Sequence, residues 1–423
     1  MPVSIPERRI QEIWQTAAQR RKDLITGADV PVKIIYPGRL NDGRGADFKD
    51  AVIQIGKELF KGDIEIHVRS SAWKEHHHDI DPAYNQVVLH VVYENDAVEK
   101  AGLQNGLKIS TLPLMNFTEK QAARRVTTVF TDGASLPCTD DPEIIIPGLY
   151  KAGEARFMAK ARDYQEDILK RGAGQTLYRG MMTALGYAKN KIPMAKLADF
   201  VPLDEIEALL RITGSGIDGL TEIEARLLGE AGLLSAPSVK GFEALTEIWQ
   251  KRGRQASMNK LEWEFFKVRP GNYPTRRIME MAALLAKLKK EGLLAGLEAL
   301  TYKSGENAGK TLTGALTDAE KNEGDSLIGP DRAGDLVTNV VLPFYYAYAV
   351  IMRKPNLGRS AVKVYQGYRG GGENSLEKHM RQQFGLSPKA AAPAGIRQGL
   401  IHLYKTFCTQ GKCIECPLLE NLT

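Results

Sequence analysis

Three side chains in the run GADFKDAVIQIGKELFKGDIEIHVRSSAWKEHHHDIDPAYNQVVLHVVYE (45–94) carry the chemistry that the chain has to position: Asp47, Glu65 and His67. Asp47 opens one strand pattern (51–56), and a second (63–71) sets Glu65 and His67 two residues apart. Side chains alternate faces along a strand, so Asp63, Glu65, His67 and Arg69 share one face while Ile64, Ile66 and Val68 fill the other. Two carboxylates on adjacent strands, with a basic group beside them, suit a divalent cation that hydrolyses phosphodiesters. Asp47 and Glu65 are then oxygen ligands to Mg2+ or Mn2+, with the Ile66 carbonyl as a third, and His67 orients or deprotonates the attacking water. Asp63 is a candidate second-metal or supporting residue, and Arg69, Ser70, Ser71 and Trp73 are candidates to touch a phosphate backbone.

Two further groups of ligand-type residues follow. The tract His76-His77-His78-Asp79 reads as a solvated loop, because three adjacent histidines do not all point one way; His78 or Asp79 are the members that would reach the site. His90, inside an apolar strand, reads as a hydrogen-bonded core residue. Near the C-terminus stands Cys408-x4-Cys413-x2-Cys416, and the one other cysteine is Cys138. Thiolates at these spacings wrap a 4Fe-4S cluster or a Zn2+ ion, with Cys138 or His402 as the fourth ligand.

The elements that must hold these residues can be read from periodicity. Residues 6–22 place Ile10, Ile13, Trp14 and Ala17 on one helical face. Short strands follow at 30–38 and in the two patterns above, joined as a hairpin through 57–62. Residues 73–84 are a short helix or loop, 85–94 are apolar on both faces as a central strand would be, and 108–114 add an edge strand. This predicts an α/β domain over 1–150. Helical patterns dominate 151–330, including one long pattern over 277–300, and 331–423 forms a helical C-terminal segment ending in the cysteines, with a flexible loop at 368–379.

Composition bounds the class. Of 423 residues, 43% are hydrophobic and 26% charged, ordinary for a globular protein. The net charge of +6 is compatible with a polyanionic partner such as nucleic acid. The most apolar run (333–352) contains Asp335 and Pro343, which argues for a buried core helix rather than a membrane span. The first residues lack the apolar core of a secretory signal, so the expected location is cytoplasmic, away from membranes.

The runs G-x-D-F-x-x-A-x-I-x-I-G, G-D-I-E-I-H-V-x-S-S-x-W and Y-N-x-V-x-L-H-V-V-Y-E-N-D resemble an uncharacterised bacterial family, domain of unknown function 2851. So do R-P-G-N-Y-P-T-R-R-I (269–278), N-V-V-L-P (339–343) and Q-G-L-I-H-L-Y-K-T-F-C-x4-C-x2-C (398–416). The N-terminal part also resembles the PD-(D/E)XK nuclease fold, a mixed sheet with flanking helices. That resemblance implies Asp47 as the first motif acid, Glu65 as the second and His67 at the lysine position. It also implies a Cys138 link from the C-terminal cysteines back to the nuclease-like domain. The implied function is metal-dependent hydrolysis of DNA or RNA. The alternative is a catalytically inactive nucleic-acid-binding protein that keeps the fold.

Overall fold

A helix, α1 (Glu7–Arg20), covers one face of a sheet built from the strand-rich start of the chain. The computed structural model describes residues 5–20, 24–41, 43–97, 100–115, 141–213, 217–236, 242–302, 308–317 and 328–418. The chain divides into two compact units. One contains Met1–Ala152, Ser375–Pro388 and Gly399–Thr423, and the other Gly153–Asn374 and Lys389–Gln398.

In the first unit the strands are β1 (Leu24–Ile25), β2 (Pro31–Tyr36), β3 (Arg39–Leu40), β4 (Phe48–Ile55), β5 (Glu58–Arg69), β6 (Val87–Glu94), β7 (Ala101–Gly102) and β8 (Lys108–Pro113). They form one sheet in the order β1-β2-β4-β5-β6-β8-β7, with β3 also on β4. β2, β4 and β5 are antiparallel neighbours, whereas β5, β6 and β8 run parallel. The sheet is therefore mixed, as expected, and a short helix α2 (Ala72–Glu75) lies in the β5–β6 connection. The hairpin turn is tighter than the sequence suggested. Gly56, at φ +61°, closes it beside Lys57, and β5 runs on from Glu58. The 108–114 segment is not an edge: β8 lies between β6 and the two-residue β7.

The alternation along β5 separates two environments. Ile64 and Ile66 pack with Ile10 and Trp14 of α1, Phe48 and Ile53 of β4, and Leu89 and Val91 of β6, all fully or almost fully buried. Burying each such side chain stabilises the unit by about 1.5–3 kcal/mol. The opposite face carries Asp63, Glu65 and His67, also buried. A smaller apolar group of Ala46, Trp73, Val87, Leu103 and Ile109 accompanies it.

The C-terminal segments of this unit pack back on the sheet. Tyr404 Oη donates to Asp50 Oδ2 at 2.5 Å, and Tyr36 Oη meets His379 Nε2 at 2.6 Å. Part of the stretch expected as a flexible loop is helical (Ser375–Gln383), with Met380 and Phe384 buried. Leu376, Met380 and Phe384 stand four apart, a helical spacing hidden by the polar residues between them.

The second unit is mostly helical. The long pattern over 277–300 is two helices, Pro274–Lys287 and Leu293–Tyr302, because Gly292 takes φ +76° between them. Among the described residues one helix, Pro330–Ile351, is long and apolar enough to cross a membrane, and 72% of its most apolar window is buried inside the structure. Its middle turn, Val337–Val341, is π-helical, just before Pro343, whose missing N–H leaves the regular ladder one bond short.

Burial pushes the Glu224 carboxyl, on the helix Ile217–Glu230, up from 4.5 to about 7. A carboxyl raised in the folded state adds stability below its unfolded value and loses it as the pH climbs through its folded one. Glu224→Gln is therefore expected to match the wild type in urea denaturation at pH 4.5, and to exceed it by about 1–3 kcal/mol at pH 8.

Candidate metal centre at the rim of the sheet

Asp47 stands just before β4, held by the loop that precedes it. The Asn41 side-chain amide donates to the Ala46 carbonyl at 2.9 Å, and the Asn41 N–H donates to the Asp47 carbonyl at 2.7 Å. The Asp47 carboxylate then meets β5 and α1. Its Oδ2 accepts the Ile66 N–H at 2.9 Å and its Oδ1 accepts from Gln11 Nε2 at 3.0 Å. In return the Asp47 N–H donates to Glu65 Oε2 at 3.0 Å, so the two acids meet across the strands. Burial, and then the nearby Glu65 charge, push the Asp47 carboxyl up to about 7 although Ile66 and Gln11 oppose the shift.

The other Glu65 oxygen faces imidazoles. Oε1 lies 3.2 Å from His78 Nε2 and 3.6 Å from His67 Nε2. His67 is 2% exposed; its Nδ1 meets His90 Nε2 at 2.8 Å and its Nε2 meets His76 Nδ1 at 3.1 Å. Burial, then the neighbouring His90, His78 and His76, hold His67 down to about 2; burial and His78 hold His90 to about 3. Both rings are neutral at physiological pH. His67 therefore offers a lone pair, not the fixed positive charge of a lysine.

The histidine tract departs from the expected solvated loop. The chain leaves α2 with the His76 N–H on the Ala72 carbonyl and the His78 N–H on the Trp73 carbonyl. Between them His77 takes φ +59°, a left-handed turn that sends its own side chain into solvent and returns the next residue to the site. Trp73 anchors the turn by donating its indole N–H to the Gly102 carbonyl at 2.8 Å. Tyr84 stacks on His78 with centroids 3.8 Å apart, and burial followed by Glu65, Asp81 and Asp47 pushes its hydroxyl up to about 12. His76, Tyr84 and the pairing of His67 with His90 were not anticipated as parts of the site. The H-x-H spacing puts the outer two on one side only because the middle residue is left-handed, which the sequence does not announce.

Other expected residues fall elsewhere. Asp63 pairs with Lys49 at 2.6 Å and accepts the Asp50 N–H. Ser70 Oγ and Ser71 Oγ both donate to Asp96, and Arg69 is exposed at the end of β5. Cys408, Cys413 and Cys416 are half-buried on the C-terminal turns, while Cys138 lies outside the described residues. Among the described residues, the group of three or more ligand-type side chains with donor atoms within 4.8 Å of one another is His67, His76 and His78. The donors around Glu65 Oε1 are thus rich in nitrogen, whereas Mg2+ prefers oxygen, and both Asp47 oxygens already accept an N–H.

Residues 7–370 match the model of the family described as Protein of unknown function (DUF2851). No curated protein and no solved structure matches the chain.

The left-handed turn supports a direct check. Valine is disfavoured at positive φ, so His77→Val is expected to cost about 1–2 kcal/mol in chemical denaturation. His77→Gly, which adopts that turn without strain, is expected to remain within about 0.5 kcal/mol of the wild type.

Proposed function

We propose, on the premise that the chain belongs to the DUF2851 family, whose name assigns no activity, that it is a metal-dependent hydrolase of phosphodiester bonds in nucleic acid. The observation that carries this reading is the meeting of Asp47, Glu65 and His67 at one buried rim, joined by the Asp47 N–H on Glu65 Oε2 and by His67 Nε2 near Glu65 Oε1. The order of elements agrees with the PD-(D/E)XK resemblance: a helix, three antiparallel strands, a short helical link and a parallel strand, with the acids on and before the middle strands. A bound divalent cation would acidify water and offset charge on the phosphoryl oxygens.

The protein's own groups prepare that chemistry. Asp47 fixes the Glu65 carboxylate through its backbone N–H and uses its side chain to hold the Ile66 amide, which keeps β4 and β5 in register at the site. His67, held neutral, supplies a metal-ligand lone pair. Tyr84, protonated throughout the physiological range, keeps the His78 ring in place by stacking. Beside His90 opens a cavity of about 360 Å³ whose charged lining residues are Lys74, Lys100 and Glu75, a net positive setting for an anionic chain.

The test is cleavage of single- and double-stranded DNA and RNA by the purified full chain with Mg2+, Mn2+ or Zn2+. Cleavage is expected, and Glu65→Ala is expected to slow it by at least about 100-fold with nucleic-acid affinity unchanged. Tight binding with no cleavage under any of the three metals would instead establish the binding-protein alternative.

A further inference from the structure

We propose that the rim holds a transition-metal ion of the zinc class, ligated by His67 Nε2, His76 Nδ1, His78 Nε2 and Glu65 Oε1. The proposal rests on the reading of this rim as the functional site and deepens it by naming the metal. A tetrahedral ion with bonds of about 2.0–2.2 Å separates its donor atoms by about 3.3–3.6 Å. The pairs His67–His76, His78–Glu65 and His67–Glu65 stand at 3.1, 3.2 and 3.6 Å. The three imidazole donors all lie within 4.8 Å of one another.

A second, independent observation points to a ligand. His78 is 6% exposed, yet neither of its ring nitrogens makes a hydrogen bond. Its Nε2 is near enough to Glu65 Oε1 but out of line for a hydrogen bond. A buried imidazole without a partner is costly, and a cation in front of Nε2 satisfies it. The ring is also fixed in that pose, stacked on Tyr84 at 3.8 Å and lying parallel to His67 at 5.2 Å.

A metal on His67 Nε2 requires the ring proton on Nδ1, which then donates to His90 Nε2 2.8 Å away. His90 is then a positioning residue for the metal, acting through His67. Three imidazoles and one carboxylate oxygen favour zinc, cobalt, nickel or iron over magnesium.

The experiment uses the full chain stripped with a chelator and titrated with Zn2+ and with Co2+, read by calorimetry, metal content and the visible bands of Co2+. One equivalent with tetrahedral Co2+ bands is expected at this site, with Mg2+ unable to displace it. Because thiols such as those of Cys408, Cys413 and Cys416 can take up the same metals in solution, the site is identified by subtraction. His78→Ala and His76→Gln are each expected to remove this equivalent, whereas Cys413→Ser and His77→Gly retain it. His90→Phe is expected to weaken it by about 10- to 100-fold. His76 is exposed, so its variant reports on the site even if His78→Ala fails to fold. Unchanged stoichiometry and affinity in His76→Gln would overturn the proposal. Glu65-dependent cleavage with Mg2+ in a protein that binds no zinc at the rim would also sink it while leaving the hydrolase reading intact. A zinc-loaded rim with no cleavage of nucleic acid would do the reverse.

Discussion

Everything at the rim depends on β5 being buried on both faces at once. A strand covered on one side leaves its polar side chains in water; this one does not. Ile64 and Ile66 are sealed under α1, and Glu65 and His67 are sealed on the other side by α2 and the turn after it. A carboxylate in that position has to find donors, since an ionised group without partners costs several kcal/mol in such surroundings. The Asp47 N–H is the donor the fold provides. The loop that carries it is itself folded around Asn41, so the geometry of Glu65 is determined by residues on either side of β4.

The same burial explains why the histidines come in a chain rather than singly. His67 reaches His90 on the neighbouring parallel strand, where Glu65 and His90 are register partners, and it reaches His76 across the link. Trp73 serves both sides: its ring lies about 5 Å from His90 and from His78, and its indole N–H is tied to β7. Removing His90 or His76 would leave a ring nitrogen of His67 without its partner. The cluster therefore acts as one unit, and the short helix α2 is present less for its own stability than to carry Trp73 and His76 to the sheet.

Much of this was legible in the sequence, for definite reasons. Alternation along 63–69 announced which face of β5 was polar, and the Gly-rich loop before Asp47 announced a turn. The helical second unit followed from 3.6-residue periodicity. What escaped was set by backbone conformations that side-chain patterns do not encode. His77 at φ +59° turns a tract of three histidines into a pair facing inward, and nothing in H-H-H distinguishes that from a solvated loop. The helix Ser375–Gln383 was hidden because only every fourth residue is apolar. The return of the C-terminal segment to the sheet depends on contacts such as Tyr404 with Asp50, more than 350 positions apart, which local reading does not reach.

Under the proposed PD-(D/E)XK reading His67 stands where that pattern has a lysine, and the charges at the rim give the difference a physical meaning. Asp47 and Glu65 share a rim of the sheet, where burial first and the Glu65 charge second push the Asp47 carboxyl up to about 7. The lysine near them, Lys49, is committed to Asp63. His67, which faces Glu65, and His90 behind it are held neutral by burial and then by neighbouring imidazoles, so these two add lone pairs rather than positive charge. A site of that composition has excess negative charge and several nitrogen donors pointing at one place. A lysine there would supply a positive charge from within the chain; under the proposal that the rim holds a metal, a cation that accepts nitrogen ligands would supply it instead.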